Sequence, residues 1–141
     1  MSLGVGIHHD VHSYSFIQDE PTLSLEDDGY YWFLYPLFVE LSKETGQLID
    51  LYDGAHFQTE SFDALERTLS MAMTLVESQP ASWRVQVALS GVASGARYNI
   101  AGSYGLYEQV EKSQFINLLA QFQRILARAR ELGLPVVCHG D

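Results

Sequence analysis

The sequence predicts an α+β fold, with three main helices packed on a mainly antiparallel sheet of about four or five strands. Three segments place apolar residues at helical spacing, and several short segments alternate apolar and polar residues as half-buried strands do. The elements do not follow a regular β–α alternation, which disfavours a doubly wound nucleotide-binding fold. The 141 residues contain no long linker or repeat, so we expect a single domain over residues 1–141.

The first helix is predicted from about Tyr35 to about Thr45. Proline is accepted in the first turn of a helix, so Pro36 places the start nearby, and Gly46 suits the position just past the end. One apolar stripe runs through the segment at i, i+3, i+4 and i+7: Leu34, Leu37, Phe38 and Leu41.

Two more helices carry clear end signals. We expect the second helix to begin after Ser61 as the N-cap and to continue to about Ser78, because Pro80 stops it. The third begins near Ser113 and runs to Gly133, with arginines in its second half, where positive charge suits the helix dipole.

Strands are predicted where apolar residues alternate or form short runs. A long hairpin joins two of them across the glycine-rich stretch 91–105, whose spacing matches neither a P-loop nor a dinucleotide fingerprint. The predicted strands are 3–7, one or two edge strands within 14–25, 48–52, 83–89, 106–110 and 135–138.

Charge is distributed unevenly along the chain. The net charge is −10; residues 1–66 hold thirteen acidic residues against one lysine, a net of −12, whereas residues 67–141 have a net of +2. A negative field of this kind repels nucleic acid and anionic lipid and steers a basic protein toward the surface. We therefore expect a basic protein partner, no nucleic-acid partner and no membrane contact, although solubility alone also explains the charge.

The chain has the features of a cytoplasmic protein. Cys138 is the only cysteine, so no internal disulfide is possible and a reducing compartment is favoured. The first residues lack the pattern of a signal peptide, and no stretch approaches 18 consecutive apolar residues. We expect Cys138 to be a buried structural thiol.

Two segments are candidates for a docking surface. The aromatic run 30–38 contains more rings than one helix face buries, so Trp32 is expected to point outward beside Asp27 and Asp28. The second segment is a turn-rich stretch between two helices, which makes it a typical place for functional groups. Its candidate residues are Asp50, Tyr52, Asp53, His56 and Glu60.

The same residues admit other interpretations. The rings of the aromatic run are equally consistent with a packed core, and the carboxylates with ordinary capping and turn chemistry. An enzyme would use His56 with Asp50 or Asp53 for proton transfer. The cluster His8, His9, Asp10 and His12 offers metal ligands, but it matches no known metal motif, so we expect an exposed polar loop and no cofactor.

In size, charge, organisation and absence of catalytic motifs, the whole chain resembles the small acidic immunity proteins that bacteria make against their own secreted toxins. The resemblance implies a one-to-one inhibitory complex with a basic toxin. It implies no particular fold, because immunity families share none. A homo-oligomeric scaffold, such as a homodimer that buries exposed Tyr and Trp rings, is the remaining alternative.

Overall fold

The computed structural model describes residues 2–87 and 106–140. Within these ranges the chain forms six strands and three α-helices, as the α+β prediction requires. In chain order they are β1 (Ser2–Ile7), β2 (Leu23–Glu26), α1 (Gly29–Thr45), β3 (Ala55–Phe57), α2 (Phe62–Glu77), β4 (Ser82–Gln86), β5 (Tyr107–Glu111), α3 (Lys112–Leu132) and β6 (Val136–Gly140).

Four of the strands form the main sheet in the order β2-β1-β6-β3, and every neighbouring pair is antiparallel. Leu3 pairs with both Leu25 and Gly140, whereas Ile7 pairs with Val136 at the opposite end of the sheet. The remaining strands, β4 and β5, form a separate two-stranded antiparallel sheet. The predicted antiparallel sheet is thus confirmed, but its strands are divided between two sheets.

The main sheet has two different faces. Alternate residues of β1, namely Leu3, Val5 and Ile7, are fully buried in the core that also includes the apolar stripes of all three helices. The opposite face, which we call the outer face, carries Gly4 and Gly6. A Cβ on Gly6 would lie only 2.7 Å from the Phe16 ring, so glycine is needed there to let this ring lie on the sheet.

The helix α1 begins six residues earlier than predicted, and Pro36 lies inside it. Proline removes one internal hydrogen bond, but the earlier start buries Tyr31 and Leu34 and gains a cap. Asp28 supplies that cap, since its Oδ1 accepts from the backbone N–H of Tyr30 at 3.0 Å and of Tyr31 at 3.2 Å.

The ends of the other helices are close to those predicted, but their N-caps are not. Ser61 precedes α2 without a side-chain capping hydrogen bond, and the N-cap of α3 is Glu111, not Ser113. The two predicted C-terminal glycines are confirmed, because Gly46 and Gly133 adopt left-handed φ values of 77° and 67°.

The predicted strand at 48–52 is wrong. Ile49 and Leu51 are buried in the core, but the segment forms a turn, and the strand follows at Ala55–Phe57. Within 14–25 only β2 forms. The predicted hairpin partners are confirmed as β4 and β5, while residues 88–89 of the predicted strand and its glycine-rich loop lie outside the described residues.

Candidate functional site: the acidic end of the sheet

The sheet topology brings two acidic segments to the same end. Strand β2 finishes at Glu26, which pairs with Ser2, and β6 finishes at Gly140, next to Leu3. A Cβ on Gly140 would lie 2.7 to 2.9 Å from backbone atoms of residues 51–53, so this turn rests against the end of β6. We call this region the acidic end and define it by Glu26, Asp27, Asp28, Asp50, Asp53 and Glu108.

Tyr31 connects the two acidic segments. Its hydroxyl donates a hydrogen bond to the carbonyl of Ile49 at 2.9 Å, which fixes the start of the turn against α1. Burial raises the pKa of Tyr31, and the nearby carboxylates of Asp50 and Asp27 raise it further. Both carboxylates therefore lie within electrostatic range of one phenol.

Trp32 lies beside Asp27, as predicted, but is only half-exposed. Its indole Nε1 donates to Asp27 Oδ1 at 2.7 Å, and its ring packs at 5.0 Å from Tyr31 and 5.2 Å from Tyr35. The indole thus holds the carboxylate in place without neutralising it. The neighbouring Phe33 packs its ring on Trp83 and Phe115.

Asp28 performs a structural task, since it caps α1. Partial burial raises its pKa, and the carboxylates of Glu108 and Glu26 add to the increase, against the capping hydrogen bonds that lower it. Glu108 reaches this position through the β4–β5 hairpin, where its backbone and Cβ lie against Gly29. No feature of the sequence connects Glu108 with the front half of the chain.

Turn chemistry explains the hydrogen bonds of Asp50 and Asp53. Asp50 Oδ1 accepts from the backbone N–H of Tyr52 at 2.9 Å, and Asp53 Oδ1 accepts from that of Gly54 at 2.8 Å. These neutral donors leave the charge of each carboxylate in place. Tyr52 is 43% exposed beside them.

His56 and Glu60 do not join this group. Strand β3 runs away from the acidic end, since Ala55 pairs with Cys138 and Phe57 with Val136, so Glu60 lies beyond the other end of the sheet. The imidazole of His56 is exposed, and within the described ranges it makes no hydrogen bond or ion pair with Asp50 or Asp53. Its backbone N–H donates to Gln47. The arrangement needed for proton transfer by His56 with either carboxylate is therefore not formed.

Within the described ranges, no lysine or arginine forms an ion pair with the acidic end. Six ion pairs occur elsewhere in residues 2–87 and 106–140, and they neutralise five of the thirteen front-half carboxylates: Glu20, Glu40, Glu44, Asp63 and Glu66. These ion pairs thus balance part of the negative charge of the front half. Arg84 covers the ring of Tyr107, and Lys112 donates to the carbonyl of Gln79.

The histidine cluster near the N-terminus is divided by the fold. His8 is fully buried against His139 and Phe16, contrary to the expected exposed loop, while His9, Asp10 and His12 are exposed. In residues 2–87 and 106–140, no three His, Cys, Asp or Glu side chains come together in a way that would hold a metal ion.

Two further predictions concern reactive groups and pockets. Cys138 is fully buried, and burial raises the pKa of its thiol to about 12, so it is a structural thiol as expected.

Two adjoining clefts of about 350 and 340 Å³ lie between residues 19–22 and α3. Neither is lined by His56, Asp50 or Asp53, so these clefts do not support the enzyme alternative.

Comparison of the sequence with models of protein families, with curated proteins and with solved structures gives no match. In the described part of the chain, no helix combines the length and the apolar character needed to cross a bilayer.

Proposed function

We propose that this protein binds a basic protein partner through the acidic end of its sheet. The observation that supports this most is the absence of ion pairs there, across residues 2–87 and 106–140, although arginines pair with carboxylates on the helices. Carboxylates without cationic partners keep their long-range field, which accelerates the association of an oppositely charged protein.

The surroundings of these carboxylates also suit a docking surface. Asp27 is held by an indole N–H, and Asp50 and Asp53 by backbone N–H groups, so their positions are fixed before any partner arrives. Preorganised groups lose less conformational entropy on binding. The half-exposed Trp32 and the 43% exposed Tyr52 lie next to them and supply the aromatic contact area typical of binding hot spots.

The partner class that fits this surface best is a basic toxin, and the role that fits the protein is that of a cytoplasmic immunity protein. A nuclease that binds a polyanion presents a cationic groove, and a preorganised set of carboxylates competes for that groove. Of the predicted binding residues, Asp27, Asp28, Trp32, Asp50, Tyr52 and Asp53 belong to the proposed surface. His56 and Glu60 lie apart from it.

A charge-matched pair of triple variants tests the proposal. The test variant carries Asp27→Asn, Asp50→Asn and Asp53→Asn, which keep hydrogen-bond acceptors at each position. The control carries Asp19→Asn, Glu60→Gln and Glu77→Gln, which remove the same net charge from exposed side chains elsewhere. Both variants and the wild type are used to capture partners from the native host, and association rates with the captured partner are measured at several salt concentrations.

We expect the wild type and the control to retain one basic partner in a salt-sensitive complex, and the test variant to associate at least about tenfold more slowly. Equal losses in the two variants would mean that only net charge matters and would contradict a specific surface. Co-expression with the captured partner then tests the immunity role, since the wild type and not the test variant should protect cells. Self-association as the sole complex would favour the homo-oligomer instead.

A further inference from the structure

The outer face of the sheet is covered by the segment that follows β1. We call residues 8–17 the outer segment. The N–H of His8 donates to the carbonyl of Pro135 at 3.2 Å, and the N–H of Ile17 donates to that of Ile7 at 2.9 Å, so both ends of the segment are attached to the sheet. Between them the ring of Phe16 lies over Gly4 and Gly6.

Beneath this segment, two imidazoles meet. The Nε2 atoms of His8 and His139 are 2.8 Å apart, and the ring of Phe16 packs at 5.1 Å from His8 and 5.2 Å from His139. His8 has no exposed surface, and its buried Nδ1 makes no hydrogen bond within the described residues. This contact between the buried His8 and the half-buried His139 holds the outer segment against the centre of the sheet, where β6 pairs with β1.

The number of protons on this pair determines whether the contact exists. An Nε2–Nε2 distance of 2.8 Å is a hydrogen bond, which requires an N–H on one ring and a lone pair on the other. When His139 Nε2 donates, His8 Nε2 is the acceptor. A proton added to Nε2 of His8 removes this acceptor and places two N–H groups in contact.

We propose that the His8–His139 pair is a pH-sensitive latch, in which protonation of His8 Nε2 breaks the hydrogen bond and releases the outer segment from the sheet. Imidazole is the side chain that titrates nearest neutral pH, so mild acid is the natural trigger. Release uncovers Gly4, Gly6 and the Phe16 ring on a face of the sheet that no helix of residues 2–87 and 106–140 is seen to cover.

The electrostatic surroundings of His8 also favour release of the latch in acid. Burial lowers the pKa of His8 from its ordinary value of 6.5, and His139 and His9 lower it further, while the backbone of Ser13 and the carboxylate of Asp10 raise it. The Phe16 ring that packs on His8 carries no charge. Because the pKa is lower in the latched state than in an open one, the latch is fully stable above about pH 6.5 and weakens as the pH falls below it.

Hydrogen exchange of the Ile17 amide tests the latch directly, because its bond to Ile7 exists only while the segment is attached. We expect its protection factor, corrected for intrinsic exchange, to fall at least about tenfold between pH 7.5 and pH 5.0. Leu119 and Phe122 in α3 are buried and are far from the outer segment in the sequence. The protection of their amides should not change. The midpoint of the change should follow the titration of the His8 ring in NMR spectra.

Two variants make the test specific. His8→Gln removes the titrating acceptor, so protection at Ile17 should lose its pH dependence, whereas His12→Gln, at an exposed position, should behave like the wild type. If the His8→Gln variant does not fold, the titration of the His8 ring and the exchange of the Ile17 amide in the wild type still test the proposal. Constant wild-type protection, or the same response in both variants, would overturn the proposal.

Zinc provides the last arm of the test. A tetrahedral zinc ion bound by both Nε2 atoms at about 2.0–2.1 Å would separate them to roughly 3.3 Å. If one equivalent of zinc raises the protection of Ile17 at pH 7.5 and abolishes the acid response, the pair is a metal site and the latch is refuted. No effect of zinc is the result we expect.

Discussion

Carboxylates have different partners at the acidic end of the sheet and on the packed helices. On the helices, Arg130 of α3 binds Asp63 and Glu66 of α2, and Arg67 of α2 binds Glu44 of α1. At the acidic end the partners are an indole and backbone N–H groups. Charge counted along the sequence does not separate these regions, because both draw most of their carboxylates from the same front half of the chain.

The difference follows from the hydrogen-bond donors that each kind of element places near its carboxylates. Side-by-side helices bring long arginine side chains within reach of carboxylates on the next helix, whereas turns at the end of a sheet offer mainly backbone donors. A neutral donor satisfies a carboxylate's hydrogen bonding but leaves its charge unchanged. Exposed ion pairs contribute little stability, so we infer that their main effect here is to reduce the negative field along the helices.

The largest expected loss of stability comes from a substitution that separates the β4–β5 hairpin, which carries Glu108, from the helices. Phe115 is fully buried and packs on Tyr30, Phe33 and Trp83, so it joins α3 to α1 and to the β4–β5 hairpin. Phe115→Ala should lower the free energy of unfolding by about 3–5 kcal/mol, measured by urea denaturation. Leu75→Ala, at a 44% exposed position, should change it by less than about 0.5 kcal/mol. A loss below about 1.5 kcal/mol for Phe115→Ala would contradict the packing described.

A smaller effect is expected at Asp28, where the acidic end meets the cap of α1. Asp28→Ala removes the cap and should destabilise the protein by about 1 kcal/mol. Asp28→Asn keeps an acceptor and removes a charge beside Glu26 and Glu108, so it should be as stable as the wild type or more stable near neutral pH.

The pH dependence sharpens this comparison. Because folding raises the pKa of Asp28 above its ordinary value of 3.8, its contribution is most favourable at low pH and is lost as the pH rises through the raised value. The stability of the wild type relative to Asp28→Asn should therefore fall between pH 4 and pH 7. An increase over that range would show that the capping hydrogen bonds outweigh burial.

The smallest stability effect is expected among the paired carboxylates. Arg128 donates from Nε to both oxygens of Glu20, at 2.9 and 2.7 Å, and this hydrogen bonding lowers the pKa of Glu20. Arg128→Met should lower the urea midpoint slightly at pH 7, and the difference from wild type should disappear as the pH falls below the ordinary Glu value of 4.5. Arg124→Met is the control, because Arg124 has no ion pair in the described ranges. Equal shifts for both variants would show that the pair itself contributes nothing.

Local patterns predicted most elements of this fold, and tertiary contacts explain the failures. The stripe of α3 and the glycines after α1 and α3 are local features and were predicted correctly. The start of α1 was missed because Pro36 suggested a first turn, while the actual start depends on the Asp28 cap and on burial of Tyr31. The run 48–52 is apolar because Ile49 and Leu51 fill the core beside α1, not because it pairs with a strand.

The candidate site was predictable only in pieces. Sequence identified Asp27, Asp28 and Trp32 as one group and Asp50 and Asp53 as another, but only the pairing of β6 with β1 brings the two groups together. Glu108 comes from a hairpin in the basic half of the chain. The contact between His8 and His139 joins residues near opposite ends of the sequence, and no local pattern indicates such a contact.

The surface potential around individual amide protons tests the central claim most directly. It is obtained by comparing the relaxation that cationic and anionic nitroxide probes induce in the amide protons of the native protein. We expect the most negative potentials at residues 27–29, 50–54 and 108, and values much nearer zero along α2 and the second half of α3, where carboxylates are paired. Potentials on α2 as negative as those at the end of the sheet would contradict the account, since no distinct docking surface would then exist.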